Sequence, residues 1–167
     1  TKNYPSDPKN YWQEQIRTTP QGKLLEKNDP MTEQEYSNHN PRTRAKFQAM
    51  IDSKGVIPEE FKTKKFAQRL LPKKWGNKGP SITITSLTDD FVHYGQARTP
   101  TVRECARMQT FPDWYKFTGK RTTGGIRRAG NPRDNNFERE VPKYTQIGNA
   151  VPVKLGKEIG VHFSKIL

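Results

Sequence analysis

Thr101-Val-Arg-Glu-Cys-Ala-Arg-Met-Gln-Thr-Phe-Pro-Asp113 decides how this chain is read. Thr101 and Glu104 stand three residues apart, the spacing of a capping box, in which a hydroxyl and a carboxylate each satisfy the other residue's backbone N–H. A helix is therefore expected through about Gln109, with Thr99-Pro100 leading in and Phe111-Pro112 ending it. Val102, Cys105, Ala106 and Met108 form its apolar face. Downstream, Tyr144-Thr-Gln-Ile-Gly-Asn-Ala-Val-Pro152 leads through a Gly148-Asn149 turn into a second helix. There Pro152 suits the first turn, and Leu155, Ile159, His162 and Ile166 recur at helical spacing beside Phe163. Such an amphipathic helix needs something to cover it.

The 167 residues suffice for one domain, but only 31% are hydrophobic, so a large core is excluded. Lys plus Arg number 30 against 17 Asp plus Glu, a formal net charge of +13. The excess is concentrated, with +8 in residues 41–79 and +7 in residues 98–133. Two basic blocks flanking a short neutral region make a surface that attracts a polyanion; DNA or RNA is the natural partner, with a solvated basic surface or attraction to a membrane surface the alternatives. No apolar run approaches bilayer-spanning length and no signal-peptide core is seen, so a soluble, intracellular (cytoplasmic) protein is expected. Cys105 is the only cysteine, which rules out an internal disulfide, and His39, His93 and His162 are scattered, so no metal is expected. The first residue is Thr1, which fits a piece of a longer polypeptide.

Residues 1–40 read as mostly loop with isolated apolar anchors: Tyr4, Tyr11, Trp12, Ile16 and Leu24-Leu25. Pro41 to Asp52 reads as a helix, because Phe47, Met50 and Ile51 share a face and Gly55 follows as a stop. Lys62, Lys64, Lys65 and Arg69 are interleaved with Phe61, Phe66, Leu70 and Leu71, before the loop Pro72-Lys-Lys-Trp-Gly-Asn-Lys-Gly-Pro80. This basic loop can set cations on phosphates, with Trp75 either against the nucleic acid or packed beneath the loop. Ser81-Ile-Thr-Ile-Thr85 alternates like a half-buried strand, and Phe91-Val-His-Tyr94 is its expected neighbour across Asp89-Asp90, giving a small antiparallel sheet. Residues 118–140 are Gly-rich and Arg-rich, and read as a flexible basic insertion.

Arg103-Glu-Cys-Ala-Arg107, with Gln109 and Phe111-Pro-Asp113, resembles the ninth motif of DNA (cytosine-5)-methyltransferases, and Gln146-Ile-Gly-Asn-Ala-Val-Pro152 resembles the tenth. Pro80 to Thr85, then Phe91-Val-His93 and Arg98, is similar to the end of that family's target-recognition domain, with Thr83 matching a Thr that approaches DNA. Asn38-His-Asn-Pro-Arg42 with Phe47, Met50 and Gly55 resembles the start of its variable region. The 118–140 stretch is longer than the family usually has between the two motifs.

The resemblance implies transfer of a methyl group from S-adenosylmethionine to C5 of cytosine in duplex DNA, through a thiolate that attacks C6. The nucleophile of the family follows a Pro, whereas Cys105 follows Glu104 on a helix face, and neither the Gly-rich cofactor loop nor the Glu-Asn-Val motif is among the 167 residues. No catalytic residue is therefore expected in this chain, which alone should not methylate. The DNA contacts fall to Lys62, Lys64, Lys65, Arg69, Lys73, Lys74, Lys78, Thr83 and Arg98. Arg103, Glu104, Arg107 and Gln109 are expected to be scaffold, with direct phosphate contact the alternative for the two arginines. By resemblance Asn149 and Ala150 line the methyl-donor pocket, with no tight binding of S-adenosylmethionine by this chain alone.

The expected fold is α+β: a small irregular recognition domain with a short antiparallel sheet, plus C-terminal helices that belong to a larger methyltransferase fold. The expected divisions are a loop-rich lead-in at 1–35, the recognition region and ninth-motif helix at 36–117, the insertion at 118–140, and the tenth motif and final helix at 141–167. The expected partners are duplex DNA and an N-terminal catalytic domain or subunit. A non-enzymatic DNA-binding or regulatory module derived from such an enzyme is the rival reading.

Overall fold

The structure, a computed structural model, describes residues 3–62, 68–73, 82–85, 90–122, 133, 135 and 140–166. Its elements are α1 (Tyr11–Arg17), α2 (Pro41–Asp52), a 3-10 turn (Glu59–Phe61), β1 (Arg69–Leu70), β2 (Phe91–Val92), α3 (Val102–Met108), α4 (Lys143–Asn149) and α5 (Val153–Phe163).

The capping box forms as its spacing predicts: Glu104 N donates to Thr101 Oγ1 at 3.1 Å and Thr101 N donates to Glu104 Oε2 at 2.8 Å. Val102, Cys105, Ala106 and Met108 are all buried. At the other end Phe111 N donates to Ala106 O and Thr110 N to Arg107 O, both at 2.9 Å, the paired bonds of a Schellman close. That close puts Thr110 at φ +58°, a left-handed conformation costly for a β-branched residue. The compensation is visible: Thr110 Oγ1 accepts the Lys154 N–H at 2.9 Å, so one residue ends α3 and ties down the start of α5. The same close ends α2, where Gly55 N donates to Met50 O at 2.7 Å and Lys54 N to Ile51 O at 3.2 Å, with Lys54 at φ +56° in the position that Thr110 holds after α3.

The core has two parts. Leu71, Ile84, Phe91, Val102, Cys105, Ala106, Met108, Phe117, Tyr144 and Ile147 form the larger one, in which α3 and α4 pack together. Phe47, Met50 and Val92 form the smaller, beneath α2, with Leu70, Ile57 and Ala97 packed against them.

Three expectations are corrected. The sheet among the described residues is parallel, with Arg69 opposite Phe91 and Leu70 opposite Val92, not antiparallel. Ile82 to Thr85 form no ladder; their alternation reflects burial of Ile84 while Thr83 stays exposed, a pattern that periodicity alone cannot separate from a strand. Gly148 and Asn149 do not form a turn but close α4, and the chain becomes extended at Ala150 (φ −79°, ψ 146°). The loop-rich lead-in carries one short helix, α1, which is capped by Asn10, whose Oδ1 accepts from Gln13 N at 3.0 Å, and buries Ile16. Asn10 and Gln13 stand at capping spacing, so that signal was present in the sequence. Most of the 118–140 stretch, and Trp75, lie outside the described residues.

Candidate functional site

Around α3 lies a frame of buried charge. Arg103 is fully buried and its guanidinium donates to Thr32 O (3.3 Å), Thr32 Oγ1 (2.9 Å), Pro112 O (3.1 Å) and Tyr115 O (2.8 Å). It thereby binds the lead-in to the loop that follows α3. Desolvation lowers its pKa, with the Asp113 charge acting the other way.

Glu104 is gripped by Arg98 in a two-pronged pair, Nη1 to Oε2 at 2.8 Å and Nη2 to Oε1 at 2.7 Å. Burial pushes the Glu104 carboxyl up, but the Arg98 hydrogen bonds and charge and the Thr101 N–H outweigh it, and the pKa is lowered. Arg98 also lies 4.3 Å from the centre of the Tyr36 ring and donates to Gln96 Oε1 at 2.6 Å. Arg107 pairs likewise with Asp113, Nε to Oδ1 at 2.9 Å and Nη2 to Oδ2 at 2.6 Å, and Tyr4 Oη donates to the same Oδ2 at 2.6 Å. Gln109 Nε2 reaches Ile147 O and Ala150 O at 3.3 and 3.4 Å, and Gln109 O accepts from Val153 N at 3.1 Å. Through these bonds Arg103, Glu104, Arg107 and Gln109 connect α3 to residues of the 31–36 segment, to the 98–101 and 112–115 segments, and to the end of α4.

Sequence reasoning missed several parts of this frame. Tyr4 and Asp113 complete the Arg107 cluster, Lys143 Nζ pairs with Glu33 at 2.7 Å, and His39 Nε2 accepts the Thr99 N–H at 3.2 Å. The Tyr4–Asp113, Lys143–Glu33 and Thr99–His39 bonds each join residues 60 or more positions apart, which local spacing does not reveal.

Of the nine residues assigned to DNA, Lys62, Arg69, Lys73 and Thr83 are described and exposed, and Lys62 is paired with Glu59. Arg98 is buried and held by Glu104, so its guanidinium faces the interior. Lys64, Lys65, Lys74 and Lys78 lie outside the described residues.

Cys105 is buried, and desolvation, with the Glu104 charge second, pushes its thiol far above the ordinary range. It packs in the larger core. Asn149 is exposed, while the Ala150 carbonyl is engaged by Gln109.

α5 stands apart from the core. None of its residues is buried, and Val153, Leu155, Ile159, Val161 and Phe163 are each at least 41% exposed. Backbone bonds at its first turn, to Gln109 and Thr110, hold it in place. No described helix is long and apolar enough to cross a membrane.

A family model of C-5 cytosine-specific DNA methylases matches residues 2–165. The chain is 38% identical over 86 residues to the type II methyltransferase M.DdeI of Desulfomicrobium norvegicum, covering 51% of this chain and 18% of that protein. It is 35% identical over 105 residues to M.Bpa9945I of Bacillus paralicheniformis, covering 58% and 19%. It thus spans about a fifth of the length of these relatives. With M.AquIB of Picosynechococcus sp., however, it is 31% identical over 142 residues, covering 84% of this chain and 93% of that protein. With the family model matching almost end to end, this chain belongs to the C-5 cytosine-specific DNA methylase family.

Proposed function

We propose that the chain is the target-recognition and tenth-motif portion of a DNA (cytosine-5)-methyltransferase, and that it acts with a separate polypeptide or domain carrying the nucleophile and the main methyl-donor loop. One observation carries this reading: the only cysteine is sealed in the core with its thiol protonated, while the family's reaction needs a free thiolate. Two more support it. The uncovered apolar residues of α5 suit docking against the rest of a methyltransferase fold. A relative of nearly this length, M.AquIB, fits a short polypeptide of this kind better than the longer relatives do.

In this reading Arg69, Lys73, Lys62 and the basic residues near them neutralise phosphates, and Thr83 approaches the base edges. The buried pairs Arg98–Glu104 and Arg107–Asp113 do not touch DNA; they fix the angle between the recognition region and α4. A target base must leave the stack to be methylated, so that angle decides whether the extruded cytosine meets the partner's thiol. S-adenosylmethionine supplies the methyl group when bound to the complete enzyme, and Asn149 and the Ala150 backbone would border it there.

The test is mixing. The chain, a polypeptide of the family carrying the Pro-Cys motif, duplex DNA and radiolabelled S-adenosylmethionine should give methylated DNA, and each polypeptide alone should give none. Methyl transfer by the chain alone would refute the division of labour. A persistently inactive mixture that still binds DNA would favour a non-enzymatic module.

A further inference from the structure

A cavity of about 330 Å³ opens between α1, the segments that follow β1 and β2, and α3. Its hydrogen-bonding capacity is lopsided. The acceptors on its walls are used by the fold: Glu104 Oε1 takes Arg98 Nη2 and Gln34 Nε2, and Glu104 Oε2 takes Arg98 Nη1 and Thr101 N. Gln13 Oε1 accepts from Lys9 N at 2.8 Å, and His93 Nδ1 accepts from Gly95 N at 3.1 Å.

Donors are left over. Trp12, Gln13 and Lys73 line this cavity, and the Trp12 indole N–H, the Gln13 amide N–H groups and the Lys73 ammonium have no hydrogen-bond partner among the described residues. The Tyr94 hydroxyl is also open, on a ring stacked on His93 at 4.3 Å. Arg107 is balanced by Asp113 and Glu104 by Arg98, so Lys73 gives the cavity a net positive charge. A ligand that satisfies such walls is rich in acceptors, carries negative charge and needs no donor of its own.

We propose that this cavity is a phosphate-binding site, which seats one phosphodiester of the DNA backbone on Trp12, Gln13 and Lys73. The choice of DNA as the source of the phosphate rests on the function proposed above; the anion specificity rests on the cavity alone. The site adds the lead-in helix α1 to the DNA footprint, outside the basic loop. A neutral, donor-bearing rim of Trp and Gln beside one free lysine positions a phosphate and carries no sequence information.

The experiment follows the Trp12 indole N–H resonance of the full chain, assigned with Trp12→Phe, during titration with inorganic phosphate and, separately, with a short duplex. Both ligands should move it. Lys73→Gln should weaken duplex binding and lower the slope of log K against log salt by about 0.9, the value of one phosphate contact, while Lys27→Gln leaves the slope near that of the parent. Movement with phosphate but no duplex binding would uphold the anion site and overturn its DNA ligand, together with the proposed function. Duplex binding with an unmoved Trp12 resonance and an unchanged Lys73→Gln slope would overturn the site and leave the proposed function standing.

Discussion

Glu104→Gln is the sharpest perturbation of the frame. Glutamine keeps the reach to the Thr101 N–H and the shape of the capping box but removes the charge that Arg98 was placed to meet. The side chains of Arg98 and Glu104 are only 8% and 19% exposed, so the variant leaves a nearly buried guanidinium without its counterion. Removing one member of such a pair costs about 3 kcal/mol, a large share of the roughly 5–15 kcal/mol that holds a domain folded. Urea unfolding of the chain, with Arg98→Met and the double variant completing a cycle, should return a coupling of about 2 kcal/mol between the two sites. The pH dependence has a definite sign. Because the folded pKa of Glu104 is lowered, its contribution is complete above the unfolded value of about 4.3 and is lost as pH falls through the folded value, and that part of the acid slope should vanish in the variant. A Glu104→Gln chain within about 0.5 kcal/mol of the parent, or a coupling near zero, would refute the assignment of this pair to the frame.

Three further outcomes follow from the same geometry. Cys105 should resist a thiol reagent in the native chain even at mildly alkaline pH and react at once in denaturant, because burial keeps the thiol protonated; rapid native labelling would put it on the surface. Ile159→Asp should leave the melting temperature of the chain nearly unchanged, since α5 buries nothing, yet abolish reconstituted methylation; full activity would show that α5 is not a docking face. Thr110→Gly should relieve about 1 kcal/mol of left-handed strain and lose a comparable amount with the hydroxyl that holds the Lys154 N–H, so net stability changes little while hydrogen exchange at Lys154 speeds up. Unaltered exchange there would mean that Thr110 does not anchor α5.

What could be read in advance was what is local. Thr101 and Glu104 announce their helix because both halves of the capping box lie within one turn, and Phe47 and Met50 announce theirs because burial follows the helical period. The parallel pairing of Arg69–Leu70 with Phe91–Val92 was hidden for the opposite reason. Its strands are two residues long and 20 positions separate Leu70 from Phe91, too short for a pattern and too far apart for a hairpin signal. The resemblance led to the expectation that Arg103, Arg107 and Gln109 are scaffold, but it did not give their partners. Thr32, Asp113, Tyr4 and Ile147 are chosen by tertiary packing, and an arginine that saturates backbone carbonyls looks in sequence like one that meets phosphate. Arg98 illustrates the point: it belongs to a basic block by composition and to a buried ion pair by structure.

The claim on which the account turns is that the reacting thiol comes from outside this chain. Cys105→Ala, reconstituted with a polypeptide carrying the Pro-Cys motif, should methylate duplex DNA at close to the rate of the parent mixture, because the substitution removes only a buried sulfur. A loss of about a hundredfold or more in a variant that remains folded and still binds the duplex would place the nucleophile here and contradict the account.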